Sequence, residues 1–144
     1  MPLLEVWAMA TREQLARAVA ELQIIEQIVN EFQLRIATLD AALREHENAI
    51  SIIEEMKRSG GGMEVLIPIG GGNFVHGTIT STEKMEVSVG AGVVVTKSLE
   101  EGHQIILKRK DELVRVKEAY LQRLQEHLNR AAELRRLLES ARTE

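Results

Sequence analysis

Stepping alternately by three and four residues from Leu15 lands on Leu15, Ala18, Leu22, Ile25, Val29, Phe32, Ile36, Leu39, Leu43, His46, Ile50 and Ile53. Every one of these positions except His46 is apolar. That spacing predicts a long helix burying one seam against a second helix, as in a coiled coil. Thr11 and Gln14 suggest a capping box at the start of this helix. Ser59-Gly60-Gly61-Gly62 stops it at the other end, because glycine adopts the left-handed conformation that closes a helix. At about 1.5 Å of rise per residue, the stretch from Thr11 to Arg58 spans about 70 Å.

The period then changes from helical to two. Val65-Leu66-Ile67-Pro68-Ile69 and Phe74-Val75-His76-Gly77-Thr78-Ile79 flank Gly70-Gly71-Gly72, and Met85-Glu86-Val87-Ser88-Val89 and Val93-Val94-Val95-Thr96-Lys97 flank Gly90-Ala91-Gly92. Apolar strands around glycine turns predict two β-hairpins, separated by Thr80-Ser81-Thr82-Glu83-Lys84. Pro68 lacks a ladder donor and belongs at an edge or a bulge. Met85 to Val89 alternates apolar and polar residues, which marks one buried face. Isolated hairpins are marginal in water and leave unpaired edges. The insert therefore predicts partner strands from other chains, and several hairpins closing into a barrel would remove the edges.

A second helix opens at Ser98 with its own capping box, Ser98 and Glu101, and Gly102 weakens its first turns slightly. Leu113, Val116 and Tyr120 follow one heptad register, whereas Leu121, Leu124, Leu128, Ala131 and Leu138 follow another. The change predicts a stutter near Tyr120–Leu124. The simplest packing is an antiparallel pair of helices, a stalk with strands at its base and an open tip. The expected fold is α+β, divided into a helix over residues 1–62, hairpins over 63–97 and a helix over 98–144.

Composition narrows the function classes. Only 3% of the residues are aromatic, in a chain that is 44% hydrophobic, a profile of helical coils rather than a compact globule. There is no cysteine, hence no thiolate ligand, nucleophile or disulfide, which suits a cytoplasmic protein. Met1 to Ala10 lacks the basic start of a signal peptide, and no apolar run reaches the roughly 20 residues of a membrane span. The net charge of −4 is uneven: residues 11–58 carry nine acids and six bases, residues 99–144 nine acids and ten bases. Weak attraction between the helices follows, without a basic block for nucleic acid. Lys108-Arg109-Lys110 is offset at once by Asp111-Glu112 and reads as a solvated helix face.

The order helix, two hairpins, helix, with Val65-Leu66-Ile67-Pro68-Ile69-Gly70-Gly71-Gly72-Asn73-Phe74-Val75 and Val87-Ser88-Val89-Gly90-Ala91-Gly92-Val93, resembles the prefoldin α subunits of archaeal type. The resemblance covers nearly the whole chain, and two hairpins rather than one favour the α class over the β class. It implies an ATP-independent chaperone that holds unfolded polypeptides and delivers them to a group II chaperonin. It also implies a hexamer of two α and four β subunits, whose hairpins join in a double β-barrel platform carrying six coiled coils. On that reading Val65, Leu66, Ile67, Ile69, Phe74, Val75, Ile79, Val87, Val89, Val93 and Val95 serve oligomerisation. No cofactor, metal, nucleic acid or membrane is expected. The alternative is a structural α-like subunit that assembles through its hairpins into rings or filaments.

A holdase without ATP needs exposed apolar surface, and the free tips are the candidate. Leu4 and Ala8 extend the first seam backwards, while Leu3, Val6, Trp7 and Met9 fall off it. At the other terminus Leu134 and Leu137 fall off the second register and Leu138 lies on it. These residues, Leu3, Leu4, Val6, Trp7, Met9, Leu134, Leu137 and Leu138, are the expected client-binding set, with Arg135, Arg136 and Arg142 adding attraction for acidic clients. Two blander readings compete: the residues seal a frayed coil end, or the natural chain starts at Met9. The glycine turns do not lead into helices or a phosphate-loop lysine, so hairpin geometry explains them better than nucleotide binding. His46, His76, His103 and His127 share no metal-ligand spacing, and no catalytic triad is recognisable. An enzyme is not expected. His46 is either a tolerated defect in the seam or a group that meets a carboxylate across it.

Overall fold

A computed structural model describes residues 3–142, with side chains from residue 11 onward. The element order is α1 (Leu3–Ser59), β1 (Met63–Gly70), β2 (Asn73–Ile79), β3 (Lys84–Gly90), β4 (Val93–Ser98) and α2 (Leu99–Arg142). This is the expected α+β arrangement of two long helices and two antiparallel hairpins. The chain divides into two compact units, one of Met1–Asp40 with Arg115–Glu144, the other of Ala41–Val114.

Helix α1 begins before the expected cap, so Thr11 lies within it. The Leu, Glu, Ala and Met residues ahead of Thr11 are good helix formers and nothing there breaks the helix. The end comes where expected: Gly60 takes φ +71° and its N–H reaches the Met56 carbonyl at 3.2 Å. Lys57 and Arg58 in the last turn favour the negative end of the helix dipole. The Ser98 hydroxyl caps α2 by accepting the Glu101 N–H at 3.1 Å.

In the hairpin-bearing unit, Ile50, Ile53 and Met56 of α1 pack with Leu99 and Ile106 of α2, and Met63, Ile79 and Met85 from the strands close over this cluster. Lys57–Glu100, Glu54–His103 and Glu47–Lys110 run along the helix pair in opposite senses, which makes it antiparallel. Gly102 turns out to be a seat rather than a defect. It is buried, and a Cβ there would collide with the Met85 sulfur, so the bare helix backbone receives a strand side chain. Gly77 in β2 does the same for Ile67, whose Cδ1 occupies the place of a Cβ at 2.5 Å.

The two hairpins are built alike. β1 pairs with β2 from Met63↔Ile79 to Gly70↔Asn73, and β3 with β4 from Lys84↔Ser98 to Gly90↔Val93. Each has one extra residue just before its turn, Ile69 in the first and Val89 in the second. The central turn residues all have positive φ: Gly71 and Gly72 in one, Ala91 (52°) and Gly92 in the other. That is the twist-matching turn of tight hairpins, and Ala91 holds it without being glycine.

In the other unit, Ala18 and Ile25 of α1 bury against Ala131 and Leu134 of α2, joined by Leu22, Val29 and Leu138. Phe32 meets Tyr120 and His127 edge-on, at centroid distances of 5.3 and 5.7 Å. Every member of the α1 seam inferred from Leu15 onward is buried or half-buried. The expected stutter in α2 is absent. The covered positions His103, Ile106, Lys110, Leu113, Lys117, Tyr120, Leu124, His127, Ala131, Leu134 and Leu138 keep one unbroken alternation of three and four. Val116, Leu121 and Leu128, which suggested a change of register, lie outside it and are exposed. The register was obscured because Lys110, Lys117 and His127 occupy seam positions that an apolar pattern skips.

Candidate functional site

The exposed apolar surface of the hairpin-bearing unit concentrates at the turn ends of its strands. Opposite residues in a strand pair share a face, so Leu66 faces out with His76 and Pro68 with Phe74, while Ile67 and Val75 occupy the other side. Leu66, Ile67, Ile69, Phe74 and Val75 are all exposed, which makes this half of the first hairpin apolar and uncovered on both faces. Val65 and Ile79, nearer the helices, are half-buried.

The second hairpin is one-sided. Val87 is only 3% exposed and Val95 is half-buried, both on the side of Met85. The opposite side carries Glu86, Ser88 and Thr96, with Val94 across from Ser88 near the turn, and the Thr96 hydroxyl donates to the Glu86 carboxylate at 2.8 Å. Toward the turn Val89, Val93 and Val94 are exposed. Among the residues expected to serve oligomerisation, Ile79 packs against the cluster between the helices, Val87 is buried, and Val65 and Val95 are half-buried within the chain. Leu66, Ile67, Ile69, Phe74, Val75, Val89 and Val93 present uncovered surface. Val94 was absent from the sequence list, and its outward position follows only from the register.

The expected client-binding residues divide differently. Leu3, Leu4, Val6, Trp7 and Met9 fall in the first turns of α1, and their side chains lie outside the described residues. Leu134, placed off the register by sequence, is 3% exposed and sits in the seam against Ala18, Ile25 and Ala131. Leu138 packs partly against the same cluster, and Leu137 is exposed.

Cross-helix ion pairs line both units. Arg130 donates to both oxygens of Glu21, at 2.8 and 3.0 Å, and to Glu133 at 3.2 Å. This fork holds the Glu21 carboxyl below the usual carboxylate range and raises the Arg130 pKa. Lys117 meets Asp40 at 2.6 Å, so the seam lysine swings its charge to the edge. Lys57 bonds Glu100 and lowers its pKa, and donates to His103 Nδ1 at 2.6 Å. Nε2 of His103 is buried without a hydrogen-bond partner, 3.9 Å from the Glu54 carboxylate. His46 bonds the Ala42 carbonyl of its own helix at 2.7 Å, rather than a carboxylate across the seam. These surface pairs add little stability and act chiefly on register. No helix among the described residues is long and apolar enough to cross a membrane.

What the geometry offers is surface for other chains. Comparison with known proteins agrees in detail. Residues 10–143 match the family model described as Prefoldin subunit. The chain is 30% identical over 124 residues to the prefoldin subunit alpha of Thermofilum pendens, covering 86% of this chain and 94% of that one. It is 35% identical over 112 residues to the prefoldin subunit alpha of Methanococcoides burtonii, covering 75% and 79%. Its fold is similar to a chain in the cryo-EM structure of filamentous prefoldin from Methanocaldococcus jannaschii, with a TM-score of 0.67, 21% identity, and coverage of 80% and 95%. A family match from residue 10 almost to the end, two hairpins between paired helices and relatives that are α subunits lead to one conclusion: this chain belongs to the prefoldin family.

Proposed function

We propose that the chain is the α-type subunit of an ATP-independent chaperone, which holds unfolded polypeptides and passes them to a group II chaperonin in the cytoplasm. It assembles with other prefoldin subunits through its hairpins, in a hexamer with four β-type chains. The observation that carries the assembly reading is the first hairpin, whose turn end is apolar and uncovered on both faces. Burying such surface is the main driving force of protein association. Family membership supports the chaperone role, and Leu137 with the N-terminal residues Leu3 to Met9 remains the proposed client-binding end.

Co-expression with a β-type subunit, followed by native mass measurement, tests the assembly. A discrete hexamer that suppresses aggregation of a denatured client without ATP is the expected result. Long polymers of the chain alone, with no defined complex, would contradict it. Removal of residues 1–10 should weaken suppression while leaving the hexamer intact; undiminished suppression would exclude that end.

A further inference from the structure

A surface groove of about 410 Å³ lies between α1 and α2 in the unit formed by Met1–Asp40 and Arg115–Glu144. That volume is in the range of clefts that hold ligands, about 300–1,000 Å³. Leu39 and Tyr120 are its half-buried members, while Leu34 and Val116 are exposed. Leu34, at 72%, is the most exposed large hydrophobic side chain among the described residues. Counted from Leu15, it occupies the heptad position farthest from the seam, where helix pairing asks for no apolar group. Its presence is unexplained by the coil.

The groove's charges select the occupant. Arg35 donates to Glu31 at 2.8 Å and to the Tyr120 hydroxyl at 2.9 Å, so the rim charges cancel where they stand. A charged segment would lose hydration on entering and find no uncompensated opposite charge. An uncharged one loses little and covers Leu34 and Val116. Glu31 and Arg35 also retain spare acceptor and donor capacity, suited to the N–H and C=O groups of an extended backbone. We propose that this groove is a second client subsite, seating a large uncharged side chain such as Leu, Ile, Met or Phe from an unfolded polypeptide. The proposal rests on the chaperone reading and adds to it a site separate from the chain ends.

Tyr120 is the only tyrosine in the sequence, which makes it a reporter inside the groove. The assembled oligomer, carrying fluorotyrosine there, is titrated by fluorine NMR with three unstructured peptides of equal length: uncharged apolar, acidic and basic. The expected result is a saturable shift with the uncharged peptide, with the charged peptides weaker by about ten-fold or more. Leu34→Asp and Val116→Asp, both at exposed positions, should weaken the uncharged peptide by a similar factor without changing helix content or native mass. An unmoved Tyr120 signal in an oligomer that still suppresses client aggregation would overturn the groove and leave the chaperone reading standing. Loss of suppression in the unsubstituted oligomer would instead sink the chaperone reading. Equal response to all three peptides would refute the selectivity. A concentration-dependent shift without peptide, tracking an increase in mass, would assign the groove to a second copy of the chain.

Discussion

Gly102 shows how one residue joins two kinds of element. In a helix a glycine costs about 1 kcal/mol relative to alanine, yet here its missing Cβ makes room for the Met85 sulfur. Gly102→Ala therefore sets a helix-propensity gain against an overpacking cost of about 1–3 kcal/mol. Equilibrium denaturation of the assembled protein should show a net loss of stability. In a Met85→Ala background the same substitution should become neutral or stabilising by up to about 1 kcal/mol, because the clash is gone. A loss of equal size in both backgrounds would show that Met85 is not the obstacle.

At the scale of the helices, polar seam residues govern register more than strength. Lys117 sits at a covered position and pairs with Asp40 at the edge. Lys117→Leu should strengthen the helix pair by about 1 kcal/mol, since apolar burial replaces a half-buried ion pair of little net worth. Chemical denaturation measures this, and native mass shows whether partner choice is relaxed at the same time. The Arg130–Glu21 fork gives the unit containing the chain termini a pH dependence. The folded carboxyl is more acidic than its ordinary value of 4.5. The stabilisation is therefore complete above that value and is lost as pH falls through the lower folded value. Stability should decline below about pH 4.5, and Arg130→Met should flatten that part of the profile. The pair is solvent-exposed, so added salt should shrink the difference between the two proteins.

For the whole molecule, uncovered hairpin surface means that stability depends on partners. The chain alone should melt at a lower temperature than its complex, and the melting temperature of the complex should rise with protein concentration, as for any assembly whose folded form is favoured by association. Leu66→Lys and Phe74→Lys, on one face of the first hairpin, should prevent complex formation. Thr96→Lys, opposite Glu86 on the polar part of the second hairpin, should be tolerated. Size-exclusion chromatography with a candidate β-type subunit distinguishes the two. Equal tolerance of all three substitutions would remove the first hairpin's outer face from the interface.

The seam of α1, the existence and order of both hairpins, and their glycine turns were legible in the sequence, because each depends on local periodicity or on local backbone conformation. The α2 register was not. Lys110, Lys117 and His127 hold seam positions by pairing or packing with α1, and a pattern built on apolar residues alone passes over them and invents a stutter. The same error moved Leu134 to the surface when it belongs to the core. Gly102 as a seat for Met85, the unequal faces of the two hairpins and the groove beside Leu34 also needed tertiary structure. Each depends on which side chains from distant segments meet, and local spacing carries no record of that.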